Sequence, residues 1–182
     1  MIEVRWHGRG GQGAVTSVEL LAVSAIAAGK YAQGFPSFGP ERRGAPVAAF
    51  TRIDDKKINV RSGIYEPDVV LVLDSSLIGL INVTDGLKSN GKLIVNTHKT
   101  PEEIRNELKF NGTVATLDGT CIARKEMGVP IANTTMSGAL RKVIGVMELD
   151  AMTDAINHRF GRIAQKNLNA MKRAYDEIKI IN

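Results

Sequence analysis

A glycine-rich turn between a strand and a helix constrains the fold of this chain more than any other feature. The first 29 residues read MIEVRWHGRGGQGAVTSVELLAVSAIAAG: a short apolar strand, then Gly8, Gly10, Gly11 and Gly13, then a nearly uncharged run that predicts a buried helix. Glycines at such a junction let backbone N–H groups and the positive helix N-terminus approach an anion. The alternative is that they only permit a tight turn and close packing of the helix on a sheet.

The turn has the spacing G-x-G-x-x-G but lacks the other parts of a dinucleotide site. That fingerprint also requires an acidic residue about 20 positions further on, at the end of the next strand. The next strand would be KYAQGF, residues 30–35, which contains no carboxylate. Gly13 is not followed by Lys and Ser or Thr, which excludes a P-loop. The turn therefore predicts an anion site and leaves its ligand open.

The composition limits the classes of protein to which the chain can belong. Its 182 residues, 43% of them hydrophobic, suffice for one domain spanning 1–182 with a sizeable core. The net charge of +5 suits acidic ligands or partners, but it is too diffuse, and the 5% aromatic content too low, to indicate nucleic acid. Since there is no long apolar run and no signal-peptide pattern, we expect a cytoplasmic protein that does not associate with membranes.

Residues that could ligate a metal are sparse. Cys121 is the only cysteine, so the chain cannot form an internal disulfide or by itself hold an iron–sulfur cluster or a thiolate zinc site. His7, His98 and His158 form no metal pair at helical spacing. We therefore predict no metal site on this chain.

Strand and helix patterns alternate along the chain, which predicts an α/β fold. The expected architecture is a single Rossmann-like, open and mostly parallel sheet with helices on both faces, an inserted antiparallel hairpin and a helical C-terminus. The hairpin is predicted from 45–53 and 57–61, on either side of Asp54 and Asp55. Further strands are predicted at 2–7, 68–73, 92–96 and 113–117. Helices are predicted at 13–28, 76–87, from Thr100, at 120–127, from the cap Asn133 to about 144, at 151–159 and in the last segment.

Capping residues and charge patterns define these helices further. The run from Thr100 to Glu103 has the pattern of a capping box with proline at the first helical position. Asn133 and Asp150 are expected to cap the helices that follow them. Because Glu19 is the sole charge of the first helix, we expect both sides of that helix to be covered. The last helix has an apolar stripe typical of core or subunit contacts: Leu168, Met171, Tyr175 and Ile178.

Residues 34–50, GFPSFGPERRGAPVAAF, are a second informative segment. Their glycines, prolines and phenylalanines predict a stiff loop that enters a strand. Arg42 and Arg43 in this loop can bind a phosphate or carboxylate, or form salt bridges to a partner chain. The neighbouring phenylalanines are typical of protein interfaces, whereas a solvated charged turn is the simpler alternative.

These two segments carry a family resemblance. HGRGGQGAVTS followed by FGPERRGAPVAAFTRI resembles the gamma subunit of 2-oxoacid:ferredoxin oxidoreductases, in the pyruvate and 2-ketoisovalerate branch. The similarity continues through PDVVLVLD (67–74), LIVNT (93–97) and NTTMSGAL (133–140), the last being similar to the family pattern NT-x-M-x-GAL. Ser137 departs from the family, in which leucine is expected. The resemblance therefore spans nearly the whole chain.

The resemblance implies a multisubunit enzyme that oxidatively decarboxylates pyruvate or a branched-chain 2-oxoacid with coenzyme A to an acyl-CoA and reduces ferredoxin. In this family thiamine diphosphate lies chiefly between the alpha and beta subunits, and [4Fe–4S] clusters lie in the beta and delta chains. We therefore expect this chain to assemble with alpha, beta and delta partners, to contribute binding and enclosure, and to be inactive alone.

The resemblance also gives a candidate ligand for the glycine turn. The carboxyl edge of such a sheet is where ligands bind, and it receives the turn, Asp74, Asn96 and Thr97. Two alternatives stay open: the turn faces the thiamine-bearing subunits without touching a ligand, or the chain is a stand-alone nucleotide-binding or regulatory module. If the turn instead binds coenzyme A, the phosphates of coenzyme A are expected to contact a set of eight residues: Gly8, Arg9, Gly10, Gly11, Gln12, Gly13, Arg42 and Arg43.

Overall fold

The structure, a computed structural model, describes residues 1–37 and 43–182, in which strands and helices alternate as predicted. The strands are β1 Ile2–Arg9, β2 Tyr31–Pro36, β3 Pro46–Asp54, β4 Val69–Val72, β5 Lys92–Asn96, β6 Thr113–Leu117 and β7 Lys179–Ile181. The helices are α1 Ala14–Ala27, α2 Pro101–Leu108, α3 Gly119–Met127, α4 Asn133–Ile144, α5 Thr153–Phe160 and α6 Ala164–Glu177. Short 3-10 turns occur at Ser75–Leu77, Leu149–Met152 and Gly161–Ile163.

The described strands form one sheet in the order β2-β3-β1-β4-β5-β6-β7. β1, β4, β5 and β6 run parallel, β2 and β3 form an antiparallel pair at one edge, and β7 is antiparallel at the other. All of β4 is buried, because central strands of a parallel sheet are covered on both faces. The predicted α/β class with a mostly parallel sheet is therefore confirmed.

Apolar side chains pack against both faces of the sheet. One core contains Trp6 of β1, Leu21 of α1 and Met136 of α4, and α5 and α6 also contribute to it. The core on the other face of the sheet includes Ile104 of α2 and Leu77 of a 3-10 turn. In the described ranges, none of the helices combines the length and the apolar character that crossing a membrane would require.

Local sequence signals fixed several element ends as predicted. β5 and β6 have the predicted bounds. The capping box at α2 is complete, because Thr100 Oγ1 accepts from the Glu103 N–H (3.3 Å) and Glu103 Oε2 accepts from the Thr100 N–H (2.7 Å). α3 ends at Gly128, whose φ of 79° lies in the left-handed region.

The predicted partner strand in the hairpin is wrong. β3 pairs with β2, with Tyr31 opposite Asp54, and residues 57–61 form no strand in the described chain. The pairing is stabilised by contact between the tilted rings of Phe35 and Phe50, whose centroids are 5.3 Å apart, and by Arg52 over Phe35. Residues 57–61 have no such partners, and Val60 is exposed. The predicted loop 34–50 is correspondingly shorter, since β2 and β3 take both of its ends.

Several further expectations for the helices are wrong. The segment 76–87 forms only the 3-10 turn Ser75–Leu77, because Gly79 and Gly86 have φ of 89° and 65° and interrupt a helix. Asn133 is the first residue of α4 and not its cap, and Asp150 lies in a 3-10 turn ahead of α5. One side of α1 is uncovered, with Val23 and Ile26 more than half exposed. The last helix ends before β7, which the sequence patterns did not predict.

Candidate functional site

The glycine turn lies where the carboxyl ends of β1, β4 and β5 meet. It is tied to the start of β3 by two backbone hydrogen bonds: the Gly10 N–H donates to Ala45 O (2.9 Å) and the Gly44 N–H donates to Gly10 O (3.0 Å). Gly11 and Gly13 have φ of 93° and 80°, a conformation that favours glycine. The turn therefore needs glycine at these two positions whether or not it binds a ligand.

Helix α1 begins at the turn with its first N–H groups uncapped. Gly13 occupies the N-cap position, no side chain of the described residues caps it, and no acidic residue lies in the first turn. A helix N-terminus in this condition attracts anions. The carboxamide of Asn133 lies directly against the turn, since a Cβ on Gly13 would be 2.3 Å from Asn133 Nδ2.

A network of side chains connects the turn to the end of β4. Asp74 Oδ2 accepts from Gln12 Nε2 (2.7 Å) and from Arg9 Nε (3.1 Å), and Asp74 Oδ1 accepts from the Ser76 backbone N–H (3.0 Å) and Oγ (2.6 Å). Arg9 also donates to Gly44 O (3.0 Å). We call Arg9, Gln12, Asp74, Ser76 and Gly44 the turn clamp.

Asp74 is held in its ionised form by this clamp. Partial burial alone would raise the pKa of its carboxyl group, but hydrogen bonds from Ser76 and Gln12, together with the charge of Arg9, outweigh burial and lower the pKa below its ordinary value. A carboxylate that is ionised and fully hydrogen-bonded is poorly suited to general acid catalysis at neutral pH. The clamp is thus suited to holding structure.

Two cavities flank the turn and share one side chain, Asn133. The first has a volume of about 240 Å³ and a polar lining that includes Gln12, Asp74, Asn96 and Thr120. The second has a volume of about 470 Å³, and its lining includes Gly11, Gly13 and the cations Arg159 and Lys166. Its apolar lining residues are Met127, Val129, Ile131, Phe160 and Ile163. Asn133 is buried, and its Nδ2 donates to no atom of the described residues. The amide group of Asn133 thus lies at the junction of a polar and an apolar space.

The structure brings most of the predicted site residues together. Gly10, Gly11, Gln12 and Gly13 form the turn itself. Gly8 lies in β1 with ordinary backbone, and a Cβ there would meet Leu73 at 3.3 Å. Arg9 belongs to the clamp, and the exposed Arg43 pairs with Gly10 in an isolated bridge. Arg42 lies outside the described residues.

The three residues expected at the carboxyl edge line two different cavities. Asp74 and Asn96 both reach the polar cavity. Asn96 donates to Leu73 O and Thr120 Oγ1, each at 2.8 Å, which fixes the ends of β4 and α3 relative to each other. Thr97 instead lines a separate cavity of about 260 Å³ beside Cys121.

The sequence interpretation missed several residues of the site. Asn133 was expected only as a helix cap, while Thr120, Arg159 and Lys166 were not considered. Arg159 and Lys166 lie in the helical last third, and their approach to the turn depends on how α5 and α6 pack. The NT pair at 133–134 was the one available signal, because it belongs to the family-like segment.

In the part of the chain that the structure describes, the histidines and the cysteine are not grouped into a metal site. His7 is buried in β1, and burial, followed by the nearby charge of Arg5, lowers its pKa to about 4. His98 and His158 line two cavities other than those at the turn. Among residues 1–37 and 43–182 no group of three or more His, Cys, Asp or Glu could hold a metal ion. Cys121 is the sole thiol, so a [4Fe–4S] cluster, which needs four thiolates, does not fit this chain.

The comparisons with known proteins agree with this architecture. Residues 3–177 match the family described as pyruvate ferredoxin/flavodoxin oxidoreductase. The chain belongs to this family. It is 51% identical over 179 residues to the pyruvate/ketoisovalerate oxidoreductases common subunit gamma of Thermococcus litoralis, covering 97% of each chain. It is 48% identical to the pyruvate synthase subunit PorC of Methanocaldococcus jannaschii, covering 98% of this chain and 97% of the relative.

Solved structures give the same result for the fold. The crystal structure of the pyruvate oxidoreductase subunit PORC of Thermotoga maritima has a TM-score of 0.90 and 40% identity, with 100% of this chain and 98% of that chain covered. A 2-oxoglutarate:ferredoxin oxidoreductase from Magnetococcus marinus, with 2-oxoglutarate, coenzyme A and succinyl-CoA bound, shares the fold at a TM-score of 0.77 and 19% identity, over 96% of this chain and 30% of that one. The gamma-subunit resemblance is therefore confirmed, and the chain is a gamma-type subunit of a 2-oxoacid:ferredoxin oxidoreductase.

Proposed function

We propose that this subunit binds coenzyme A at the glycine turn and encloses it for chemistry performed on partner chains. The complete enzyme would contain alpha, beta and delta partners, which would hold thiamine diphosphate and [4Fe–4S] clusters and pass electrons to ferredoxin. Its reaction would be the oxidative decarboxylation of pyruvate or a branched-chain 2-oxoacid with coenzyme A. The observation that carries this proposal is the pair of unlike cavities that meet at the uncapped N-terminus of α1.

The surroundings of the turn offer partners for both parts of coenzyme A: cations and backbone N–H groups for its phosphates, and apolar side chains for its arm. The molecule combines a polyanionic nucleotide with a long pantetheine arm of methylene groups and amides. The apolar cavity is large enough for part of such a ligand, since ligand sites usually span about 300–1,000 Å³. The Nδ2 of Asn133, which lines both cavities, could donate to an amide carbonyl or a phosphate oxygen.

The charges around the turn favour an anion. Arg159 and Lys166 are the charged residues that line the apolar cavity, and the exposed Arg43 lies beside Gly10. Among the described residues, Asp74 is the only acidic one that lines the polar cavity, and Arg9 neutralises it at 3.1 Å. Phosphates would therefore meet cations and backbone N–H groups without facing an unpaired carboxylate.

A partner subunit is the second candidate for the occupant of the apolar cavity. Val129, Ile131 and Ile163 on its rim are 43%, 44% and 53% exposed. Apolar residues grouped in this way are typical of protein contacts. A stand-alone dinucleotide-binding module is not favoured, because β2 is an antiparallel edge strand without a carboxylate for the ribose, separated from β1 by β3.

Steady-state kinetics of the assembled enzyme test the proposal. We expect Lys166→Ala and Arg159→Ala each to raise the KM for coenzyme A by ~10-fold, as expected for a lost charged contact of about 1.4 kcal/mol, with little change in kcat. The ratio of the variant KM to the wild-type KM should be smaller at high salt, because screening weakens these charged contacts in the wild-type enzyme. Lys30→Ala is the matched control, since Lys30 pairs with Asp55 at the opposite edge of the sheet.

The same variants discriminate against the alternative. If the cavity receives a partner subunit, Lys166→Ala and an Ile163→Asp variant should weaken assembly in size-exclusion chromatography while the KM of the complex that does form stays unchanged. That result would refute binding of coenzyme A at this site.

A further inference from the structure

We propose that Arg9 and Asp74 are positioning residues: the turn clamp fixes the shape of the glycine turn, and neither side chain contacts the ligand. The inference rests on the proposed function for its ligand, although the clamp itself can be tested without any ligand. It differs from the expectation that Arg9 binds a phosphate directly. The hydrogen bonds of the two side chains favour the positioning role.

The guanidinium of Arg9 is already committed within the protein. Its Nε donates to Asp74 Oδ2 (3.1 Å), Nη2 donates to Ser76 Oγ (2.8 Å) and Nη1 donates to Gly44 O (3.0 Å). A guanidinium has five N–H groups, and bidentate binding of a phosphate uses two adjacent ones. Here each of the three nitrogens makes an internal hydrogen bond, so three of the five N–H groups are used and a phosphate could reach only the second N–H of each Nη.

The carboxylate of Asp74 is equally committed. Each of its oxygens accepts two hydrogen bonds, from Gln12 and Arg9 on Oδ2 and from two groups of Ser76 on Oδ1. Asp74 therefore connects the end of β4 to the turn after β1, two segments 65 residues apart in sequence. The same contacts neutralise a charge that would otherwise repel an anion in the polar cavity.

Gln12 carries the constraint from Asp74 into the turn. Its Nε2 donates to Asp74, its Oε1 accepts from the Arg9 N–H (2.8 Å), and its own N–H donates to Arg9 O (3.0 Å). The other residues of the turn are glycines, which have no side chains to hold their backbone and have the largest freedom to lose when a ligand binds. A clamp that orders the turn beforehand would therefore lower the entropy lost on binding.

The experiment compares Arg9→Gln, Asp74→Asn and Gln12→Ala in the assembled enzyme. Asp68→Asn is the control, because Asp68 lies at the opposite end of β4 and bonds Lys88 and the Glu3 N–H instead. Hydrogen–deuterium exchange of the peptide covering residues 8–16, measured without coenzyme A, should become ~10-fold faster in all three clamp variants and not in the control. Gln12→Ala is the mildest change and keeps the test valid if another variant fails to assemble.

Kinetics then separate positioning from direct contact. Positioning predicts that Arg9→Gln and Asp74→Asn raise the KM for coenzyme A by similar factors, about 5- to 20-fold, at low and at high salt, and that the double variant is no worse than the more affected single variant. If Arg9 binds a phosphate directly, Arg9→Gln raises the KM mainly at low salt while Asp74→Asn leaves it unchanged or lowers it. That pattern, or unchanged exchange of the turn in the variants, would overturn the inference.

One further outcome separates this inference from the proposed function. Faster exchange of the turn combined with an unchanged KM in all clamp variants would support the clamp and refute binding of coenzyme A at the turn. Lys166→Ala should then leave the KM unchanged as well.

Discussion

Replacement of Gly13 by alanine isolates the contact between the glycine turn and α4. Gly13 has φ of 80°, and a Cβ there would be 2.3 Å from Asn133 Nδ2 and 3.1 Å from its Cγ. Gly128, which ends α3, has φ of 79°, and a Cβ there would meet no atom within 4 Å. Both variants thus have the same backbone strain, and only Gly13→Ala also displaces a buried carboxamide.

The magnitudes follow from these two effects. Alanine at a left-handed φ costs ~1–2 kcal/mol, and the reduced freedom of the unfolded chain offsets ~0.4–1 kcal/mol of that cost. We expect Gly128→Ala to lower the free energy of unfolding by about 1 kcal/mol. Gly13→Ala should lower it by a further ~1–3 kcal/mol, the usual cost of disturbing a buried polar group. The difference corresponds to roughly 2–4 °C in Tm per kcal/mol for a chain of this size.

Urea unfolding of the purified chain measures both variants, and Asn133→Ala supplies the thermodynamic cycle. In the Asn133→Ala background the carboxamide is gone, so Gly13→Ala should cost only as much as Gly128→Ala does. Equal destabilisation by Gly13→Ala and Gly128→Ala in the otherwise unchanged chain would refute the reasoning, because the contact with Asn133 would then contribute nothing to the requirement for glycine.

Three further predictions concern pH, assembly and cofactor content. The pKa of His7 is lowered to about 4 from 6.5, so the unfolded chain binds the proton more readily than the folded chain. The free energy of unfolding should therefore be highest above pH 6.5 and fall by ~2 kcal/mol by pH 5. In urea unfolding, His7→Gln should make this free energy less dependent on pH in that range. Arg42→Ala combined with Arg43→Ala should leave the unfolding free energy of the chain nearly unchanged while weakening subunit assembly or raising the KM for coenzyme A; normal values of both in the complex would contradict this. The purified chain alone should contain no iron and reduce no dye with a 2-oxoacid, because its single cysteine cannot hold a cluster; stoichiometric iron by metal analysis would disprove it.

Features set by neighbouring residues were predictable from sequence. The capping box of α2 depends on residues three apart, and the bounds of β5 and β6 follow from short apolar runs between polar segments. The glycine motif likewise predicted the turn, because few residues other than glycine adopt positive φ at Gly11 and Gly13.

Features set by pairing across the chain were not predictable in this way. Residues 57–61 have an alternating pattern as suitable for a strand as that of 31–36, but only 31–36 make the aromatic and cation–π contacts seen with β3. The short strand β7 was missed because three residues have too little pattern, and it forms only by adding to the edge of β6.

The sequence by itself determined that this chain is an α/β gamma-type subunit with a glycine turn before its first helix, because motifs and periodicity are local properties of the chain. The tertiary structure alone decided what surrounds that turn. It placed Asp74 against Arg9 and Asn133 against Gly13, and it brought Lys166 of α6 to the apolar cavity beside the turn. These contacts join residues that are tens of positions apart or more, and burial of the two apolar cores, rather than any local preference, brings their elements together.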